Sequence, residues 1–150
     1  MDHTLAKQAF DAALISHKPE FGAFFLARLL ELEISYPEET CVISFPIRDF
    51  AFNPQGSLHG GVIAIVMDIS MGHLLHESYG RAGATLEMKL QYMRPLKAGR
   101  AKCVARFLQR GNSIAFLESR LTDDEGHLAV VATSTWKCSA GPKPAQTEAP

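Results

Sequence analysis

One long apolar segment, residues 59–76, constrains the fold more than any other feature of the chain. Its length and its lack of a polar face predict a helix that is buried on nearly every side. The only other large apolar surface comes from runs of alternating polar and apolar residues, which are typical of strands. The sequence therefore predicts an α+β fold in which an antiparallel sheet wraps around a long central helix.

Six alternating runs predict the strands of this sheet, two before the central helix and four after it. The turn between the first two is expected at Glu38 and Glu39. Short turns join the last four runs, so we expect those strands to form an antiparallel meander. The predicted strands are residues 31–37, 41–49, 85–93, 100–108, 114–122 and 128–136.

The two ends of the chain differ in their patterns. Apolar residues from Thr4 to Ile15 recur at helical spacing, and a second short helix is expected from Phe21 to Leu30. Residues 141–150 are rich in proline and predict a flexible tail. A length of 150 residues suits a single domain, which we place at residues 1–140 with a helical segment at about 1–30.

Composition and charge exclude several classes of function. A formal net charge of −1 supplies no strong field for nucleic acid or for an anionic membrane surface. No apolar run approaches the ~20 residues of a membrane span, and the N-terminus lacks the features of a secretory signal. Three widely separated cysteines predict neither a disulfide framework nor a zinc site. We therefore expect a cytoplasmic protein.

The start of the central helix carries two consecutive glycines, Gly60 and Gly61, after a loop that begins near Asn53. Glycine is a poor helix former, so two at a helix start need a reason. One reason is an oxyanion hole, because bare amide N–H groups at the positive end of a helix dipole can be approached closely by a ligand oxygen. The other is a tight turn that feeds a close contact between helix and sheet. The residues alone leave both interpretations open.

Asp68 is the one carboxylate on this apolar helix. An unpaired buried carboxylate is costly, so the residue should be paired, hydrogen-bonded or functional. Helical spacing places it on a stripe of small residues with Gly61, Ala64 and Gly72, which would admit a narrow ligand or another backbone. The structural alternative is an aspartate that caps a loop within the core.

The distance between these groups predicts how a site would be assembled. Eight residues separate Gly60 from Asp68, which corresponds to about 12 Å along a helix. An oxyanion donor and a water-activating carboxylate must each lie within about one hydrogen bond of the reacting atoms. An active site made from them would therefore be shared between two chains, with antiparallel helices.

The helix and its flanking segments resemble the hot-dog thioesterase superfamily. The likeness is to the branch that contains phenylacetate-pathway thioesterases and mammalian thioesterase superfamily member 2, related to 4-hydroxybenzoyl-CoA thioesterases. It begins with a loop and helix pattern and continues through TLEMKLQYMRPLKAG (residues 85–99), QRGNSIAF (109–116) and SRLTDDEGHLAVVATSTW (119–136). The pattern itself consists of Asn53, Gly56, His59, Gly60, Gly61 and Asp68.

This resemblance implies an acyl-CoA thioesterase that acts as a homo-oligomer, a dimer or a dimer of dimers, with no separate cofactor. It implies that the Gly60 amide and Asn53 polarise the thioester carbonyl. Asp68 of the opposing subunit would serve as general base or nucleophile, and Thr85 would orient the water, at a position where the family has serine. Further substrate contacts would come from the edge of the site and from CoA-binding positions, namely His59, Gly61, Tyr92, Gln109, Arg110, Gly111, Asn112 and Ser113.

Two other functions compete with hydrolysis. The first is a non-catalytic module that binds acyl-CoA or a fatty acyl group, although binding alone requires no carboxylate. The second is a hot-dog dehydratase, whose His and acidic motifs are missing from this sequence. His73 and His76 lack a third ligand at metal-binding spacing, so we predict no metal site. The residues do not specify the acyl group.

Overall fold

A computed structural model describes residues 1–138, so the predicted tail at 141–150 lies outside the described residues. Two helices precede the first strand, and a long helix separates the first two strands from the last four. In chain order the elements are α1 (His3–Ser16), α2 (Phe25–Leu29), β1 (Glu33–Ser35), β2 (Cys41–Pro46), a short 3-10 turn (Asp49–Ala51), α3 (Gly60–Tyr79), β3 (Gly83–Tyr92), β4 (Arg100–Gln109), β5 (Ile114–Thr122) and β6 (Leu128–Cys138).

The strands form one six-stranded antiparallel sheet in the order β1-β2-β4-β5-β6-β3. Helix α3 packs against the inner face of this sheet, and apolar side chains from both form the core. The helix contributes Ile63, Val66, Met67, Met71 and Leu74. The predicted α+β architecture, a sheet wrapped around a central helix, is confirmed.

The predicted meander is wrong for its first strand. β3 does not pair with β4, because β4 lies between β2 and β5 and both of its edges are occupied. β3 instead pairs with β6 at the far edge of the sheet, with Tyr92 opposite Val130. The connection that makes this crossing is held at the start of α3, where the Leu58 N–H donates to the Leu96 carbonyl at 2.8 Å. Within residues 1–138, the outer edge of β3 has no partner strand.

Helix α3 is longer than predicted and less completely buried. It extends to Tyr79 because its cap is Gly80, whose φ of 63° is the left-handed conformation that favours glycine. One stripe along the helix stays open, since the sheet curves around only part of it. Ile65 is 37% exposed, and Asp68 and Gly72 are half-buried.

Helix α1 extends one residue further than predicted at each end, whereas the next two elements are shorter than predicted. The second helix begins at Phe25 rather than Phe21, because the chain turns through Gly22, whose φ is 77°. β1 spans only Glu33–Ser35. The turn after it falls where expected, with φ of 48° and 58° at Glu38 and Glu39.

Gly72 allows α3 and the sheet to approach closely. A Cβ atom at this position would lie 2.9 Å from the indole of Trp136, which is only 5% exposed. Alanine normally stabilises a helix interior relative to glycine. Glycine at position 72 is therefore explained by the space that the Trp136 indole occupies.

Gly72→Ala is therefore predicted to destabilise the protein by about 1–2 kcal/mol, because the buried indole must shift. In a Trp136→Phe background the smaller ring removes the clash, and the same substitution should be neutral or stabilising. Denaturant unfolding of the four proteins in this double-mutant cycle measures the coupling. Equal effects of Gly72→Ala in both backgrounds would contradict the contact.

One ionisable side chain lies inside the core beside this contact. His73 is 2% exposed, and its Nδ1 lies 2.7 Å from the hydroxyl of Tyr36. Burial, with a smaller contribution from His76, lowers the pKa of His73 from 6.5 to about 4. The folded protein therefore holds this imidazole in its neutral form at neutral pH.

Between these two pKa values the unfolded chain binds the proton more readily than the folded protein does. The free energy of unfolding should thus be highest above about pH 6.5 and fall as the pH drops towards about 4, by up to roughly 3 kcal/mol from this group. Denaturant titrations at several pH values across that range measure the slope of the free energy of unfolding against pH. His73→Gln should flatten it, whereas His76→Gln, one turn further along the helix, should keep most of it. An unchanged slope in His73→Gln would exclude His73 as the source.

Candidate active site

The first peptide of α3 is held by side chains at both of its polar groups. The Gly61 N–H donates to His59 Nδ1 at 2.9 Å, which makes His59 the helix cap. The Gly60 carbonyl accepts from the Tyr92 hydroxyl at 2.8 Å. A Cβ at Gly60 would meet the Tyr92 ring at 3.4 Å, an ordinary van der Waals contact, so alanine would fit at this position.

These contacts leave one amide of the first helical turn open. The Val62 and Ile63 N–H groups both donate to the His59 carbonyl, at 2.9 and 3.1 Å. The Gly61 N–H is taken by the His59 ring. Among the described residues, no acceptor binds the Gly60 N–H. The donor at the positive end of the helix dipole is therefore available to a ligand oxygen.

Asn53 organises the loop before the helix. Its Oδ1 accepts from the N–H groups of Gln55 and Ser57, at 3.0 and 3.2 Å, and its Nδ2 donates to Ser57 Oγ at 3.2 Å. An amide nitrogen carries two protons, so one remains for a ligand. Asn53, Gly60 and Tyr92 line one open cavity of about 400 Å³, the helix-start cavity.

Asp68 pairs with the residue predicted to assist it. Thr85 Oγ1 donates to Asp68 Oδ1 at 2.7 Å. A β-bulge between Thr85 and Glu87 explains how β3 presents this hydroxyl to the helix. Thr85 stands opposite Trp136 on the inner face, whereas Glu87 bonds to Thr135, whose side chain is part-exposed. Bulges of this kind re-aim side chains and are frequent beside active sites.

A second open cavity, of about 350 Å³, adjoins Asp68 and is mostly apolar. We call it the Asp68 cavity. Its walls come from α3, from the turn before α2 and from β6. They include Phe21, Phe24, Asp68, Gly72, His73 and Trp136. Of these, only Asp68 was predicted as a site residue. The aromatic walls carry no local sequence signal, because the fold brings them together from distant positions.

The two cavities divide the predicted catalytic residues. Gly60 and Asn53 line one, and Asp68 lines the other. Gly60 and Asp68 are eight positions apart on α3, which corresponds to about 12 Å along the helix. One protomer therefore holds the predicted catalytic residues in two separate cavities.

The turn between β4 and β5, predicted to bind CoA, lies at the other end of α3. The Tyr79 hydroxyl donates to the Gly111 carbonyl at 2.9 Å, which ties the turn to the last residue of the helix. Arg110 stacks over Phe107 at 4.4 Å and pairs with the exposed Glu39 at 3.5 Å. Gln109, Asn112 and Ser113 belong to the same turn. In one protomer this turn and Tyr92 are thus separated by the length of α3.

Within residues 1–138, none of the helices has both the length and the apolarity that crossing a bilayer demands.

Comparison with known proteins agrees with this architecture. Mouse acyl-coenzyme A thioesterase 13 is 30% identical over 92 residues, which is 60% of this chain and 66% of that protein. The medium/long-chain acyl-CoA thioesterase YigI of Escherichia coli is 28% identical over 128 residues, 73% of this chain and 82% of that protein. The structure of the E. coli PaaI protein, from the phenylacetic acid degradation operon, superposes with a TM-score of 0.75 at 16% identity. The superposition covers 91% of this chain and 97% of the PaaI chain.

The thioesterase superfamily model matches residues 55–130, which include Gly60, Asp68 and Thr85. This match, together with the fold, confirms the predicted hot-dog architecture and the predicted enzyme class, a thioester hydrolase. The chain belongs to the thioesterase superfamily.

Proposed function

We propose that this protein hydrolyses acyl-CoA thioesters to a free acid and CoA, in a site shared by two copies of the chain. Relatives named as acyl-CoA thioesterases support the substrate class. The observation that carries the proposal is the split of the catalytic groups. The Gly60 N–H lies at the start of α3 and is open to a ligand. Asp68, which accepts a hydrogen bond from Thr85, lies about 12 Å further along the helix.

A second copy can join these halves through the open edge of β3. Unpaired strand edges are ready to pair with another chain, and a two-fold axis would set two β3 edges antiparallel. The two α3 helices would then run antiparallel along their open stripes. Both elements carry exposed apolar side chains, with Ile65 of α3 37% and Leu86 of β3 55% exposed. Their burial would stabilise the dimer and bring each Asp68 towards the partner's helix start.

The chemistry follows from this arrangement. The Gly60 N–H of one protomer, assisted by Asn53, polarises the thioester carbonyl and stabilises the oxyanion that forms. Asp68 of the other protomer takes a proton from water, whose oxygen bonds to the carbonyl carbon. We assign Asp68 as a general base because Thr85 occupies its Oδ1 and leaves Oδ2 for the water. Collapse of the intermediate breaks the C–S bond and releases the CoA thiolate, which gains a proton.

The antiparallel dimer also accounts for the two sets of predicted CoA contacts. The Gln109–Ser113 turn lies at the C-terminal end of α3, and Tyr92 lies at its start. Antiparallel helices bring the turn of one protomer towards the helix start of the other. The Arg110 guanidinium and the amides of Gly111 and Asn112 suit the phosphates of CoA.

Removal of the Gly60 N–H tests the oxyanion role. Gly60 is the first helical residue, where proline is tolerated, and His59 before it is extended, with φ −62° and ψ 132°. Gly60→Pro should therefore keep the helix and lower kcat for acyl-CoA hydrolysis by about 10²–10³-fold. Gly60→Ala, which adds a Cβ but keeps the N–H, is the matched control and should lose far less. Equal losses in both variants would contradict the assignment, with helicity and Tm checked in each.

Mixing defective chains tests whether the site is shared. Gly60→Pro and Asp68→Asn homodimers should each be nearly inactive, because each lacks one half of both sites. A heterodimer of the two variants contains one intact site, so a randomly mixed 1:1 population should recover roughly a quarter of the wild-type activity. Verified heterodimers with no recovery would place both groups in one protomer. Binding of acyl-CoA without turnover by the wild type would instead favour a non-catalytic module.

A further inference from the structure

His73 presents the Asp68 cavity with a polar atom that the protein itself does not satisfy. The side chain is 2% exposed and lines the cavity. Its Nε2 atom is shielded from water and has no hydrogen-bond partner among the described residues. Buried polar atoms without partners are rare in folded proteins, and each one calls for an explanation.

The other ring nitrogen determines what Nε2 can offer. Nδ1 lies 2.7 Å from the Tyr36 hydroxyl, which has no other hydrogen-bond partner in the described part of the chain. Burial raises the pKa of Tyr36 to about 12, so its proton is retained and can be donated to Nδ1. A neutral imidazole that accepts at Nδ1 carries its proton on Nε2. The Tyr36 hydroxyl can also accept from Nδ1, so we take the tautomer in which Tyr36 donates, and in that tautomer His73 offers a single N–H donor at Nε2.

Two other polar groups of the cavity wall have partners, Asp68 only at Oδ1, and Glu20 is a further polar residue of the same wall. Trp136 Nε1 already donates to Ser134 Oγ at 2.7 Å, and Asp68 Oδ1 accepts from Thr85. The remaining wall beside the imidazole is the ring of Phe21, edge-on to His73 at 5.2 Å and stacked on His76 at 3.9 Å. This ring is half exposed, so it is the part of the wall that a ligand can displace without opening the core.

We propose that His73 is a specificity-determining residue, and that the Asp68 cavity takes acyl groups that carry a hydroxyl or carbonyl oxygen, which accepts a hydrogen bond from His73 Nε2–H. This inference rests on the proposed function, because it treats the cavity beside Asp68 as the acyl site. The oxygen must lie some distance from the thioester. His73 follows Asp68 by five residues, about 7.5 Å along the helix, so the oxygen belongs towards the far end of a short chain or ring.

An N–H donor within apolar walls should discriminate strongly between acyl groups that carry an acceptor oxygen and acyl groups that lack one. An acyl group without an oxygen leaves the donor buried and unpaired, whereas one with an oxygen pairs it. Sites built to hydrogen-bond a substrate reject the analogue that lacks the group far better than apolar sites reject an added one. The neutral imidazole also gives no charge to attract a carboxylate, so an uncharged oxygen is favoured.

Pairs of acyl-CoAs that differ by one oxygen test the proposal. A series with a hydroxyl or keto group at each carbon from C4 to C8 is compared with the unsubstituted chains of equal length. The wild type should prefer the oxygenated member by about tenfold or more in kcat/KM at one or two positions. His73→Phe, which keeps the ring shape, should reduce that preference to about one, and the readout is the ratio of kcat/KM between the two members of each pair. His76→Gln, which changes the other imidazole against Phe21, should retain the preference.

A measurement independent of turnover separates this inference from the proposed function. In ¹⁵N-histidine-labelled protein, the His73 Nε2 resonance should show the protonated tautomer, and it should shift when the oxygenated free acid is added. The matching plain acid should leave it unchanged. If the resonance responds in this way but the protein hydrolyses no acyl-CoA, the inferred binding role of His73 is supported and the proposed hydrolysis is contradicted.

Three results would overturn the proposal. They are a wild type with no oxygen preference at any position, a preference that survives in His73→Phe, and an Nε2 resonance that responds equally to both acids. Should His73→Phe fail to fold, His73→Asn provides the test. Asparagine can pair with Tyr36, but its shorter side chain cannot also reach the position of Nε2, so the preference should again disappear.

Discussion

The incomplete coverage of α3 by its own sheet underlies the rest of the structure. The inner face of the sheet buries most of the helix, and the small size of Gly72 lets Trp136 reach the helix backbone. What the sheet does not cover is a stripe that contains Ile65 and Asp68. This stripe stays open beside the β3 edge, which has no partner strand within residues 1–138, and it is the surface that a second copy would cover. Under the proposed function, the packing that completes the fold would also complete the active site.

The helix start shows how a site can be prepared before substrate arrives. His59 and Tyr92 bind the N–H and the carbonyl of the Gly60–Gly61 peptide, so its orientation is set by side chains from two different elements. A donor that is already oriented needs no reorganisation when charge develops on a substrate oxygen. Asn53 contributes mainly by organising the loop, since its Oδ1 accepts from two backbone amides. Its role as a direct donor to substrate therefore depends on the second proton of Nδ2.

Sequence patterns predicted the elements and the helix start better than the contacts between distant segments. Alternation identified five of the strands closely, because burial of one sheet face imposes a period of two. It could not reveal that β3 pairs with β6, since periodicity shows which face is buried but not which strand is adjacent. The apolar helix was predicted to be buried on nearly every side, because residue types alone do not distinguish burial by the same chain from burial by a partner. The pairing of His73 with Tyr36 was not predicted, because Tyr36 is 37 residues away and no local pattern connects them.

The division between matched and unmatched residues follows the proposed division between chemistry and selection in part, with Asn53 outside the match and His73 inside it as exceptions. The superfamily match covers residues 55–130, which contain the helix-start amide, Asp68 and Thr85. Much of the wall of the Asp68 cavity lies outside that range, in Phe21, Phe24 and Trp136, and so does Tyr36, which orients His73. A catalytic constellation tolerates little displacement, whereas an acyl cavity can be reshaped by exchange of its wall residues. Substrate choice in this protein is therefore expected to reside in the turn before α2 and in the His73–Tyr36 pair, and to change without loss of the catalytic groups.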